Sequence, residues 1–274
     1  MTYAIQHDEA VPAAVRRIME EQIVRAREQL TDSKSPREKR VHDARKRFKE
    51  TRALLRLMRE PLGKQFAIEN AWFRDAGREL SAVRDADAML EALNKLELPR
   101  HVRNSVTKTL TAARSEVPLD ELIAATLEKL VVAQARLDLW PELQDSFATL
   151  SAGLARIYRD GRRAMKDART PEELHEWRKQ VKTHWYHAQL LRQLWPPMMK
   201  AYGSVLEELS RALGDHHDLH VLRESVDNPP PELVEAIEQR QRELEDQAAR
   251  IGRRVYAERP AAFLARFEKL WNAR

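Results

Sequence analysis

Residues 41–57 read VHDARKRFKETRALLRL, and the spacing of their charges predicts an amphipathic helix. A helix advances by about 100° per residue, so side chains can be assigned to faces. The basic residues near the angular position of His42 are Arg45, Lys46, Lys49 and Arg56, with Arg52 at the edge of the row. The neighbouring side collects Val41, Ala44, Phe48, Leu55 and Met58. The helix therefore packs through one face and presents a row of cations beside it.

A second stretch, LHEWRKQVKTHWYHAQLL over residues 174–191, repeats this pattern. His175 corresponds to His42 at an offset of 133 residues. The same offset pairs Arg45 with Arg178, Lys46 with Lys179, Lys49 with Lys182, Arg78 with Arg211, and Asp85 with Asp218. Arg52 departs from the pattern, because its counterpart is Trp185. Since one register spans two helical segments and the loop between them, we infer two copies of one helical bundle, over residues 1–139 and 140–274.

The composition favours an all-α fold. The 274 residues include only 7 glycines, whereas an average usage of about 7% would give roughly 19. This scarcity argues against α/β folds and glycine-rich phosphate loops. The chain has no cysteine, which excludes disulfides, thiol catalysis and thiolate metal sites. It also lacks a signal-peptide pattern and an apolar run near the ~18 residues of a membrane span, so we expect a cytoplasmic protein without membrane contact.

Helical periodicity dominates the chain, and prolines mark the breaks. The pattern predicts about ten helices. One helix ends before Pro61 and Gly63, and the next is predicted to run without a break over residues 65–96. Further helices are predicted over 100–116 and 119–139.

Positive charge is concentrated in the first copy of the repeat. From Arg37 to Arg59 there are ten basic and three acidic residues, a local charge of +7, whereas the whole chain carries only +5. Neighbouring cations on one helix face lie about 5–6 Å apart, which suits successive phosphates of a linear chain. Arginine supplies a bidentate fork and lysine a point charge. The paired rows therefore predict a binding site for a polyanion.

The chain resembles the CHAD family, the conserved-histidine α-helical domain. The two basic stretches carry this resemblance, together with ELSAVRDADAML over 79–90 and ALGDHHDLHVL over 212–222. The family implies two bundles, each similar to a four-helix bundle, that are related by a pseudo-twofold axis. Their basic faces line a central groove or pore that binds inorganic polyphosphate, and members associate with polyphosphate granules. No catalytic activity is implied, and the absence of an ExExK motif predicts a stand-alone binding domain.

The resemblance implies the binding residues His42, Arg45, Lys46, Lys49, Arg52, His175, Arg178, Lys179 and Lys182. Arg56 lies in the same row, and Arg78 and Arg211 extend the cationic lining from the following helix of each copy. We interpret Asp85 and Asp218 as carboxylates that orient a histidine or arginine of the rows. No cofactor and no obligate protein partner are predicted.

Nucleic-acid binding is the main alternative, because DNA and RNA are also phosphate chains. Bases would call for exposed aromatic rings on which to stack. Phe48 and Trp177 both fall on the apolar faces, so the rows show no such platform. Weak nucleic-acid binding remains a secondary expectation.

Two metal-dependent alternatives are weaker still. His216, His217 and His220 form an HHxxH pattern that could chelate a metal. The first copy has Val83, Arg84 and Asp87 at these positions, and arginine cannot serve as a ligand. The pairs His42–Asp43 and His217–Asp218 are similar to the motif of HD phosphohydrolases, but they fall on non-equivalent helices.

Overall fold

A computed structural model describes residues 3–80, 85–112 and 119–274, and side chains are described except at 85–87. The described residues form twelve α-helices, one 3₁₀-helix and no strand, so the predicted all-α fold is confirmed. The helices of the first part are α1 (Val11–Thr31), α2 (Arg37–Leu57), α3 (Arg59–Leu62), α4 (Lys64–Glu79), α5 (Asp85–Asn94), α6 (Arg100–Ala112) and α7 (Leu119–Ala135). Those of the second part are α8 (Ala148–Asp167), α9 (Pro171–Leu190), α10 (Pro196–Glu224), α11 (Pro231–Val255) and α12 (Pro260–Asn272).

The prediction of one unbroken helix over 65–96 is wrong. The helix α4 ends at Glu79 and Leu80 caps it, and the next described helix, α5, covers Asp85–Asn94. In the second half the corresponding segment is the single helix α10, which is 29 residues long. The turn before α4 contains Gly63, whose φ of 53° favours glycine.

The same packing order occurs in both halves of the chain. The helix α1 packs against α2 and α2 against α4, while α8 packs against α9 and α9 against α10. The halves meet where α2 packs against α9 and where α5 packs against α10. An internal duplication remains our interpretation of this order, as does the boundary between residues 139 and 140. That boundary lies where the 3₁₀-helix Arg136–Leu139 ends.

The α2–α9 contact is held by two polar links between buried or half-buried groups. His187 Nε2 donates to the backbone oxygen of Ala53 at 2.8 Å. Arg56 Nη1 donates to Thr183 Oγ1 at 2.6 Å. Beside them α8 approaches the end of α2 so closely that a Cβ at Gly153 would lie 2.1 Å from the Leu57 carbonyl oxygen. The two basic helices are therefore fixed relative to one another near their C-terminal ends.

The N-terminal segment reaches from the first half onto the second. The backbone nitrogen of Ile5 donates to the oxygen of Leu190 at 2.9 Å. Tyr3 packs edge-on against Tyr186, with ring centroids 6.0 Å apart, and donates to the backbone oxygen of Glu50 at 2.7 Å. This segment thus bridges α2 and α9. In the part of the chain that the structure describes, no helix is both long and apolar enough to cross a bilayer.

Candidate anion-binding groove

The row on α9 begins just after a well-defined helix start. Thr170 Oγ1 accepts from the Glu173 backbone nitrogen, and the Glu173 carboxylate accepts from that of Thr170, at 3.3 and 3.0 Å. Pro171 occupies the first helical turn, where its missing N–H is no loss. This capping box fixes the first turn of α9 and places His175 one turn further on.

The apolar sides of both basic helices are buried as the sequence predicts. Phe48 is 1% exposed and Trp177 is 2% exposed. On the cationic side of α2, Lys46 and Lys49 are exposed, while His42 and Arg45 are half-buried. Each helix therefore combines a packed face with an adjacent row of partly accessible cations.

Arg178 lies against the backbone of α10. A Cβ built on Gly214 would be 3.5 Å from Arg178 Nε, so the glycine leaves room for the guanidinium. One residue further along α9, Lys179 pairs with Glu176 on the same helix. Lys179 remains partly exposed, so it can still reach a ligand.

The two cationic rows meet at Lys182. Its ammonium lies 4.0 Å from the ring centroid of Trp185 and 5.4 Å from that of Tyr186. Burial, then Arg178 on α9 and Lys46 across on α2, lower the pKa of Lys182 to about 8, against an opposing effect of Glu207. Because Lys46 acts on Lys182, the rows of α2 and α9 share one electrostatic field.

Four arginines continue the basic surface from α2 onto α4, and we call Arg52, Arg56, Arg74 and Arg78 the arginine cluster. Arg52 Nε donates to Asn70 Oδ1 on α4 at 3.2 Å. Burial, followed by the charges of the other three arginines, lowers the pKa of Arg52 to about 10. The structure thus brings the predicted residues Arg52, Arg56 and Arg78 together. Arg211, the equivalent of Arg78, is exposed on α10.

Sequence reasoning missed Arg74 and Glu50. Arg74 holds the Asp75 carboxylate in a two-pronged pair at 2.8 and 2.9 Å, and it repels Arg52. Glu50 is buried and accepts from Arg47 at 2.7 Å. Burial raises the pKa of Glu50, although Arg47, Lys46, Arg25 and Lys182 oppose this. Its position one turn after Lys46 could have indicated a counter-charge beneath the row.

His175 lies beside a histidine of the neighbouring helix. The ring centroids of His175 and His217 are 4.1 Å apart. Burial, then Arg178 and Lys179, lower the pKa of His175, and burial followed by His175 lowers that of His217 to about 4. Among the described residues, Nδ1 of His175 is buried without a hydrogen-bond partner.

The HHxxH pattern does not converge on one point. His216 Nε2 bonds Glu245 at 2.9 Å, His217 faces His175, and His220 lies 3.7 Å from Glu224. No group of three or more side chains able to hold a metal ion occurs in the described residues. Each of these three histidines therefore contacts a different partner.

Of the two predicted orienting carboxylates, Asp218 has a described side chain. Asp218 is half-buried and lines a small cavity with Lys95 and Arg240, where α5 and α11 meet α10. The side chain of Asp85 lies outside the described residues. The orienting role of both residues stays a prediction.

The fold and the groove define a class of all-α proteins in which two basic helices pack against one another. A model of the CHAD domain matches residues 17–227, and the chain belongs to this family. The crystal structure of the CHAD domain from the plant Ricinus communis aligns with a TM-score of 0.59 at 20% identity, over 100% of this chain and 96% of that one. That likeness shows the shared fold. No curated protein matches the chain.

Proposed function

We propose that the protein binds inorganic polyphosphate, without catalysis, in the groove between α2 and α9. The observation that carries the proposal is the packing of α2 against α9, held by the Arg56–Thr183 and His187–Ala53 hydrogen bonds. This packing brings Lys46 of one row within electrostatic reach of Lys182 of the other. Cations that repel one another in the free protein are stabilised when an anion lies between them. A polyanion that spans both rows relieves this repulsion at several points at once.

The groove favours a ligand made only of phosphate. Its donors are arginine forks and lysine ammonium groups, which suit phosphate oxygens. The ring of Trp185 is covered by the Lys182 ammonium, so it offers no open face on which a base could stack. Membership in the CHAD family, which is associated with polyphosphate, supports the same assignment.

Binding to long polyphosphate chains also determines where in the cell the protein accumulates. A protein that holds polyphosphate in the cytoplasm is recruited wherever the polymer accumulates, including polyphosphate granules. The groove residues neutralise phosphate oxygens and orient the chain, and bond cleavage forms no part of the proposal.

The test compares polyphosphate, pyrophosphate, ATP and single-stranded DNA at one fixed salt concentration. Wild type is expected to prefer long-chain polyphosphate, and Lys46→Glu with Lys179→Glu is expected to abolish its binding. Lys200→Glu with Lys269→Glu is the matched control, because both lysines are exposed outside the rows and the change in net charge is equal. Circular dichroism checks the fold of each variant. Equal affinity of the two double variants, or a preference for DNA, would overturn the proposal.

A further inference from the structure

The two sides of the groove carry matching cations along the rows but differ beyond them. His42, Arg45, Lys46 and Lys49 are matched in kind at the equivalent positions of α9. The arginine cluster is not matched, because at the same offset its members correspond to Trp185, Gln189, Glu207 and Arg211. The first set carries +4, whereas the second carries no net charge.

The structure shows that this imbalance exists in space. Arg52 Nε donates to Asn70 Oδ1 at 3.2 Å, which brings Arg52 against α4. Arg74 and Arg78 follow Asn70 at four-residue steps and so share its face of that helix, and Asp75 is the carboxylate paired with Arg74. On the other side, Trp185 lies beneath Lys182, and the charge of Glu207 stabilises the Lys182 ammonium. The α2–α4 side of the groove therefore keeps an excess of positive charge even with Arg74 paired to Asp75, whereas the α9–α10 side balances its charge.

The interior of a linear polyphosphate gives no reason for such an imbalance, because each internal phosphate carries one negative charge. A terminal phosphoryl group differs, since its second ionisation near neutral pH gives it a charge of about −1.5 to −2. We propose, on the basis of the function proposed above, that the arginine cluster holds the terminal phosphate of a polyphosphate chain. The protein then grips the polymer at an end, and the two rows hold the phosphates that follow.

The cluster suits this role in geometry as well as in charge. Arg52 is half-buried and fixed to Asn70, while Arg78 is exposed one helix away. A half-buried cation interacts more strongly with an anion than an exposed one, because water screens it less. The exposed members, Arg74 and Arg78, leave the terminal group a path of entry from solvent.

The test uses polyphosphate whose ends are capped with a neutral amine through phosphoramidate bonds. Calorimetry at fixed salt compares capped and uncapped chains of several lengths. Losing one charge-assisted contact of about 1.5–3 kcal/mol predicts that capped chains bind roughly tenfold or more weakly. The ratio of the two affinities is expected to be the same at every chain length, because each uncapped chain differs from its capped form only at its ends. Equal affinity for both forms would overturn end recognition.

The chain supplies a matched pair of variants for the same measurement. Arg78→Gln is expected to remove the preference for uncapped chains, while Arg211→Gln at the equivalent position keeps it. Both residues are exposed, so neither substitution disturbs packing. If wild type binds both forms equally, only the end assignment fails. If wild type binds neither form, the proposed function fails with it.

Discussion

The imidazole rings of His175 and His217 lie with their centroids 4.1 Å apart and their planes inclined by 41°. Two positive charges at this separation repel, and both rings are half-buried. The pKa of each is lowered, that of His217 to about 4. At neutral pH the pair is therefore uncharged in the free protein, although it lies among cations.

This neutral pair predicts that binding tightens as the pH falls from about 8 to about 6. The pKa of His175 is lowered in the free protein by burial, then by Arg178 and Lys179. A bound phosphate supplies the opposite charge and raises that pKa, so the complex takes up protons. Linkage then requires tighter binding at lower pH. Calorimetry in buffers of different ionisation enthalpy measures both the affinity and the uptake.

The control for this prediction is His42→Gln with His175→Gln, which keeps a hydrogen-bond donor and removes the titration. Comparing variant and wild type on one ligand cancels any titration of the phosphate itself. The histidines are not the proton-linked groups if both proteins give the same affinity ratio between pH 6 and pH 8.

A separate loss of affinity is expected above pH 8, where the Lys182 amine gives up its proton. Burial, Arg178 and Lys46 lower its pKa to about 8 in the free protein. Lys182→Arg keeps the charge at every accessible pH, so its affinity should change less between pH 7 and pH 9. Lys179→Arg is the matched control and should retain the wild-type dependence. Parallel curves for Lys182→Arg and wild type would contradict this assignment.

Binding should depend steeply on salt. A polyanion releases counterions when the rows neutralise its phosphates, by analogy with nucleic acids. About six neutralised phosphates predict a loss in affinity of a hundredfold or more between ~50 and ~200 mM salt, linear in the logarithms. Titrations at four salt concentrations measure the slope, and Lys46→Glu should reduce it. A flat response would indicate a compact pocket in place of an extended groove.

Gly153→Ala should destabilise the fold strongly, because the added Cβ would lie 2.1 Å from the Leu57 carbonyl oxygen. Overpacking of this kind typically costs about 1–3 kcal/mol, and a backbone atom cannot rotate away. Gly77→Ala is the contrasting variant, since its Cβ would lie 4.0 Å from Phe48. It should gain roughly 0.5–1 kcal/mol, because alanine favours a helix interior. Urea denaturation measures both, and equal midpoints would refute the close approach of α8 to α2.

The protein should lose stability on mild acidification, partly through His187. Burial lowers its pKa to about 4 in the fold. In the unfolded chain the pKa of this histidine is near 6.5, so the stabilisation that it contributes is complete above pH 6.5. This stabilisation is lost as the pH falls toward 4, and by pH 5 the loss is about 2 kcal/mol.

His187→Gln keeps a donor for the Ala53 oxygen and does not titrate, so the drop in unfolding free energy from pH 7 to pH 5 should be smaller by about 2 kcal/mol. His7→Gln, at an exposed position, should leave the drop unchanged. An unchanged drop in His187→Gln would show that this histidine is not responsible.

The sequence predicts faces well, because the angular position of a side chain on a helix depends only on local periodicity. Phe48 and Trp177 are buried and Lys46 is exposed for that reason. The resemblance to a known family adds the assignment of the groove to a phosphate polymer.

Contacts between helices are harder to predict, because they depend on crossing geometry that no local pattern encodes. The role of Arg74 beside Arg52 depends on how α4 packs against α2. Whether the Trp185 ring is covered depends on the position of the Lys182 ammonium. The end of α4 at Glu79 was also missed, because periodicity alone continues through Leu80.

The bridge between Ile5 and Leu190 constrains the order in which the chain can assemble. A hydrogen bond between these two residues closes a loop that contains most of the polypeptide. Closing such a loop costs conformational entropy before the contacts that offset it have formed. During synthesis the segment around Ile5 emerges before α9, so its docking site does not exist until α9 has followed. We expect these residues to become protected from hydrogen exchange late, although they are made well before α9.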